Sequence, residues 1–202
     1  MPAVNFPVLG TLLSIMITAL VGCDSRAQRS ENLKQIGQAL HSYHSAYKQL
    51  PSADGWCSAI APYVENETKE KLPPLGAAEQ LPACFQSNAE NGGETNIFAV
   101  VDPSSVFPPP PTKAIRFRDV FDGLASTMCM IELPNRDGVS RDDAKVTPDD
   151  ALVALQQVES GRVAHVLMCD GAVIPFVPEI SPALFRSLVT RADGETIEMF
   201  LQ

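Results

Sequence analysis

The chain has 202 residues, 45% of them hydrophobic and 19% charged, the balance of an ordinary globular protein, which excludes a disordered or fibrous one. Its formal net charge is -9 and its pI about 4.7, with no block of Lys or Arg, so it repels phosphate backbones and no nucleic-acid partner is expected. The 17 prolines point to many turns and extended connections, and so to short strands more than long helices.

From Val8 to Gly22 every residue is apolar or small, Cys23 follows at once, and then comes the polar run Asp24-Ser25-Arg26. An apolar stretch of this length suits the core of an export signal better than a membrane span, which needs about 20 residues. Its end, Leu20-Val21-Gly22-Cys23, resembles the bacterial lipobox, in which a small residue precedes a cysteine that is diacylated and becomes the new N-terminus. Residues 1–22 carry no Lys or Arg, a departure from the usual basic start of such a signal. The resemblance implies a lipid anchor (palmitate-type acyl chains) on Cys23, with Arg26, Arg29 and Lys34 near anionic headgroups. An uncleaved anchor helix with an incidental cysteine is the plainer alternative. Either arrangement puts the remaining chain outside the cytoplasm, held at a membrane of the cell envelope.

Ser30-Glu31-Asn32 reads as a helix start with Ser30 as N-cap. Leu33, Ile36, Leu40, Tyr43 and Tyr47 then recur at spacings of three and four, one apolar stripe on a helix of about five turns stopped before Pro51. Lys34, Gln38, Ser42 and Ser45 occupy the opposite face, so the helix should lie on something apolar. Residues 52–95 read as loop-rich, with Trp56 to Val64 a short strand or helical turn. Asn96 to Val101 reads as a buried strand, Phe107 to Thr112 as extended polyproline, and Ala114 to Val120 as another strand before the turn Asp122-Gly123. Thr127 to Leu133 is a strongly apolar strand. Thr147 should cap a helix with Pro148 at its first position, running to about Val158. Val163 to Cys169 and Ala172 to Val177 flank Asp170-Gly171, a hairpin signal. Ser181-Pro182 opens a last helix expected to end at Gly194, and Glu195 to Phe200 reads as a closing strand. A helix first and antiparallel strands afterwards is an α+β pattern.

Four segments resemble a bacterial family, the domain of unknown function 1559, whose members are described as pilin-like or prepilin-processing-associated. They are Asn32 to His44 with Leu50-Pro51, Phe121 to Glu132, His165 to Val173, and Leu188 to Glu195. The positions that carry the likeness include Leu33, Ile36, Leu40, His41, His44, Asp170 and Gly171. The resemblance implies a pilin-like α+β fold, an N-terminal amphipathic helix packed on an antiparallel sheet. Here the lipobox-like signal stands where members carry a prepilin helix, and Ser160 stands where the family has a His ten residues before Asp-Gly. Polymerisation through a hydrophobic stem is therefore not implied for this chain.

His41 and His44 lie one helical turn apart, and His165 on a predicted strand is the remaining imidazole. Zinc needs more ligands than this spacing supplies, so no metal is expected and the imidazoles read as hydrogen-bonded structural groups. Beyond Cys23 there are Cys57, Cys84, Cys129 and Cys169, with no Cys-x-x-Cys pair. In an oxidising compartment an even count suggests disulfides; Cys57 with Cys84 would staple the loop-rich region, while Cys129 and Cys169 in apolar strands read equally as buried thiols or a pair. Nucleophile elbow, phosphate loop and zinc-protease patterns are all missing, so neither enzymatic activity nor a cofactor is expected.

The expected organisation is a signal at 1–22, a membrane-proximal linker at 23–30 and a single domain at 31–202. The expected function is that of a non-enzymatic envelope lipoprotein whose pilin-like headgroup meets envelope protein partners in secretion or surface machinery. Such a protein should show an exposed apolar or aromatic patch. The alternative is an extracytoplasmic solute- or glycan-binding lipoprotein, which should show a concave pocket lined by residues such as Trp56, Tyr63 and Phe107 with a few polar groups.

Overall fold

Helix α1 runs unbroken from Leu9 to Tyr47 in a computed structural model that describes residues 9–64, 82–86, 94–134, 137–159, 162–176 and 178–194, with side chains from Arg26 onward. No Gly or Pro stands between Asp24 and Arg29, so nothing stops the helix there. Ser30, expected as an N-cap, is an interior residue of α1, and residues 23–30, expected as a linker, are helical. The helix closes where Lys48 turns to φ 60° and donates its N–H to the His44 carbonyl at 2.7 Å. Among the described residues no helix is long and apolar enough to cross a membrane.

The stripe read from the sequence is the buried one. Leu33, Ile36, Ala39 and Leu40 are buried, while Lys34, Gln38, Ser42 and Ser45 face solvent. Burying each of these large aliphatic side chains contributes about 1.5–3 kcal/mol. The stripe weakens toward its end: Tyr43 is half-buried and Tyr47 is 58% exposed.

Alpha1 lies on a five-stranded sheet made of β2 (Ile97–Val100), β3 (Met128–Glu132), β5 (Lys145–Val146), β6 (Ala164–Met168) and β7 (Val173–Phe176), in the order β5-β2-β3-β6-β7. All neighbours are antiparallel except β5, which pairs parallel to β2. The strands alternate across the sheet. Ile97, Ala99, Met130 and Leu167 join the cluster beneath α1. Phe98, Val100, Met128, Ile131, Val166 and Met168 point the other way, to α3 (Pro148–Gln156) and α4 (Pro182–Val189). With both faces covered, β3 and β6 are apolar almost throughout, which is why they read as continuous runs and not as alternating ones. The register of β3 on β6 shifts between Met128 and Met130, so Cys129 is an extra residue, a bulge, in β3.

Both later helices begin as expected. The Thr147 hydroxyl accepts from the Asp150 N–H at 3.2 Å, and the Ser181 hydroxyl accepts from the Leu184 N–H at 3.2 Å, each with Pro at the start of the helix. Alpha4 ends at Val189, five residues short of Gly194, because Thr190 turns extended and its hydrogen bonds return to the end of the helix.

Other expectations are corrected. Trp56 to Val64 takes the helical option, as α2 (Trp56–Ile60) and a 3-10 turn over Ala61–Tyr63. Ala114 to Val120 is no strand. The Asp119 carboxylate accepts from the Arg116 N–H at 3.0 Å and from its guanidinium at 2.9 and 3.0 Å, closing a 3-10 turn over Phe117–Asp119. Those hydrogen bonds from Arg116 hold the Asp119 carboxyl down at about 2. The proline run does not stay extended, for the Thr112 N–H returns to the Pro109 carbonyl at 3.2 Å. A ladder of β1 (Glu94–Thr95) with β4 (Val139–Ser140) has no counterpart in the sequence reading. The closing strand expected over Glu195 to Phe200, and Ser160, lie outside the described residues.

Candidate functional site

Three of the positions that carry the family likeness, His41, Asp170 and Gly171, meet where α1 crosses the turn between β6 and β7. Gly37 makes the closest approach. A Cβ at that position would stand 2.9 Å from Leu167 Cδ1 and 3.5 Å from Gly171 Cα, so a side chain there would reach the turn and push the tip of Leu167 aside. Gly171 takes φ 93°, and the Asp170 carboxylate accepts from the Ala172 N–H at 2.9 Å, the arrangement that makes Asp-Gly a hairpin signal.

The imidazoles one turn further along α1 fasten two neighbouring segments. A backbone carbonyl only accepts, so at 3.0 Å His41 donates its Nε2–H to the Cys169 carbonyl beside the turn. The Phe117 N–H donates to His44 Nε2 at 3.2 Å, so His44 is neutral there with its proton on Nδ1. The Phe117 ring stands against both imidazoles, 4.6 Å from His41 and 4.2 Å from His44 in ring centroids. His41 and His44 are thus latches between helix, hairpin and loop. His165 lies elsewhere, and among the described residues no group of three or more His, Cys, Asp or Glu side chains is placed to hold a metal ion.

Burial, then the neighbouring His41 and Lys48, push the His44 imidazole below its ordinary value of 6.5. A group whose folded value is depressed stabilises fully above its unfolded value and loses that contribution as pH falls through the folded one, because the unfolded chain takes up the proton first. The melting temperature of the natural chain should therefore fall more steeply below about pH 6.5 than that of a His44→Gln variant, which keeps an acceptor but does not titrate. Parallel pH profiles for the two would refute the latch.

A second polar cluster ties α1 to the sheet nearer the start of the domain. Glu132, 1% exposed, faces His165, 3% exposed, directly across the β3–β6 ladder, with His165 Nδ1 3.0 Å from its Oε2. On the other carboxylate oxygen, Asn96 Nδ2 donates at 3.2 Å and Arg29 Nε of α1 stands at 3.3 Å. Arg29 Nε is buried and, among the described residues, has no partner in hydrogen-bonding geometry, so its tie to Glu132 is one of charge. Arg29 was expected at headgroups, and this carboxylate turns it inward instead. Nothing in the sequence pointed to the cluster, since only the β3–β6 register sets Glu132 opposite His165.

The pocket expected of a solute or glycan binder is not lined as anticipated. Trp56 and Phe107 are core residues, and the Trp56 indole N–H donates to the Ala144 carbonyl at 2.7 Å. Tyr63 belongs instead to an open cluster with Tyr43 and Tyr47, at centroid separations of 5.9 and 6.5 Å. A crevice of about 160 Å³ lies between Pro51, Val106, Pro108, Pro111 and Ile115. That is well below the roughly 300–1,000 Å³ of small-molecule sites. No bridge joins Cys57 to Cys84: both are buried free thiols. Burial pushes the Cys84 thiol up to about 12 and the Cys57 thiol higher still. The loop-rich region is held here by apolar packing, with the Trp56 and Phe85 rings 5.7 Å apart.

Residues 26–68 match the model of a family described as "Protein of unknown function (DUF1559)", the family that Asn32 to His44 resembles. The matched stretch covers the domain half of α1, α2 and the turn after it, and the three later segments of likeness fall outside it. No curated protein and no solved structure matches the chain.

Proposed function

We propose that this chain is a non-enzymatic lipoprotein of the cell envelope, cleaved after Gly22 and acylated on Cys23, whose pilin-like domain serves as an interaction component of secretion or surface machinery. What carries the reading is the lipobox-like Leu20-Val21-Gly22-Cys23 at the end of the apolar run; α1 runs on from there into the packed domain, so an anchor at Cys23 would be tied to the sheet by helix. A helix rises about 1.5 Å per residue, so acylation of Cys23 would hold Arg29, which pairs with Glu132 of β3, within roughly 9 Å of the membrane surface. Two or three acyl chains meet the requirement of more than one chain for stable anchoring. The open tyrosine cluster and the exposed Phe121 side chain supply the aromatic surface expected of an interaction domain. Trp56 and Phe107, two of the residues offered as the wall of a solute-binding pocket, are committed to the core.

The intact mass of the protein extracted from native membranes tests the reading. A chain beginning at Cys23 with added acyl mass is the expected result. An unmodified chain retaining residues 1–22 would overturn it and return assembly through the helix as the leading idea.

A further inference from the structure

The two imidazoles on α1 answer an added proton differently. His41 Nε2 already donates to the Cys169 carbonyl, so a second proton, on Nδ1, leaves that bond in place. His44 Nε2 accepts from the Phe117 N–H, and a proton there sets one donor against another. The piece that His44 holds is closed on itself. Over residues 116–119 the Asp119 N–H returns to the Arg116 carbonyl at 2.8 Å, and the side chains of Arg116 and Asp119 join. Both ends of the piece are pinned. Ile115 is buried and its carbonyl accepts from the Leu50 N–H at 2.7 Å. Val120 is buried too, and the Phe121 N–H after it donates to the Arg191 carbonyl at 2.7 Å. Between these pins Arg116, Phe117 and Asp119 are half-buried and Arg118 is exposed, with the Phe117 ring against both imidazoles.

We infer that residues 116–119 form an acid-released strap, held on α1 by neutral His44 and freed, while its two ends stay pinned, when His44 Nε2 takes a proton. With the strap down, burial, and then His41 and Lys48 on the same helix, oppose that proton. With it lifted, the imidazole meets water and takes the proton near its ordinary value of about 6.5. Opening therefore takes up a proton, so the open population rises as pH falls, by up to about tenfold per unit below that value. The other charges at the junction are already engaged. Within the strap, Asp119 is held at about 2 by Arg116 and so stays ionised through this range, with Arg118 beside it. From the hairpin, the Asp170 carboxylate is turned back on the Ala172 N–H. Lifting the strap uncovers the Phe117 ring at the end of α1 that carries Tyr43 and Tyr47, and so enlarges the aromatic surface there in acid.

The inference rests on this junction and not on the anchor, so the acyl mass of the chain leaves it untouched. Hydrogen exchange of single amides, read by NMR on the full chain in detergent, tests it from about pH 7.5 to 5.5, one unit either side of the ordinary histidine value. The protection factor of the Phe117 amide should fall by up to about tenfold per unit below pH 6.5. It should also respond little to low urea, because opening four residues exposes little surface. The Leu50 amide, at a pin, should be better protected throughout. In His44→Gln the Phe117 protection should no longer depend on pH. A Phe117 protection factor that is flat with pH in the natural chain overturns the proposal, whether or not the variant folds. So does one that matches Leu50 in size and in urea dependence, for then the whole domain opens and no strap moves alone.

Discussion

Replacing Glu132 by alanine is expected to destabilise the domain by about 3–5 kcal/mol, the cost of breaking a buried charged cluster by removing one partner. The carboxylate is 1% exposed and is the shared partner of three groups: His165 on one oxygen, Asn96 and Arg29 on the other. Without it His165 stays buried and unpaired, and Arg29 loses the charge that turns it toward the sheet. Replacing Glu132 and His165 together by leucine should recover more than half of the loss, because two apolar side chains remove the polar groups that would otherwise be stranded. Arg29 is 28% exposed in its side chain and can return to water. Urea unfolding of the single and double variants decides the matter. Equal losses in both would show that packing volume, and not the unpaired polar groups, sets the cost.

Trp56→Ala should cost a similar amount, about 3–5 kcal/mol, through a different mechanism. Trp56 is fully buried, packs against the tilted Phe85 ring and donates its indole N–H to Ala144 just before β5. Truncation leaves a cavity beneath α1 and takes one of two donors from the Ala144 carbonyl, which keeps the Ala99 N–H at 3.1 Å. Trp56→Phe separates the two effects, since it keeps most of the ring volume and loses the donor. That variant should cost about 0.5–1.5 kcal/mol, the net worth of one hydrogen bond, since the Ala144 carbonyl keeps the Ala99 N–H. Trp56 is the chain's one tryptophan, so unfolding of the variants is followed by circular dichroism. A Trp56→Ala variant within 1 kcal/mol of the natural chain, against the ~3 expected, would place this residue outside the load of the core.

Much of the framework was legible because it rests on local chemistry. The spacing of Leu33, Ile36 and Leu40 marked the buried face of α1, Thr147-Pro148 and Ser181-Pro182 marked two helix starts, and Asp170-Gly171 marked the hairpin. Each signal acts within a few residues, through side-chain period, a capping hydroxyl or a left-handed glycine. Misreadings arose where a local signal met no opposition or a distant one prevailed. Ser30 had the makings of a cap, but helix already stood on its N-terminal side. Ala114 to Val120 had strand composition, but Arg116 and Asp119 found each other three residues apart and wound the chain into a turn.

The sequence by itself determined the α+β class, the amphipathic helix at the front, the apolar strands and the motif positions His41, His44 and Asp170-Gly171, since these depend on contacts within a turn or a hairpin. Only the tertiary structure decided what those positions do. His41 reaches a carbonyl 128 residues away, Phe117 reaches His44 across 73, and Glu132 meets His165 and Arg29 from three separate elements. The bulge that turns Cys129 beneath α1 is likewise a matter of how β3 registers on β6. Register and helix crossing are set by the packing of whole faces, Gly37 against the hairpin turn among them, and no window of neighbouring residues contains that information.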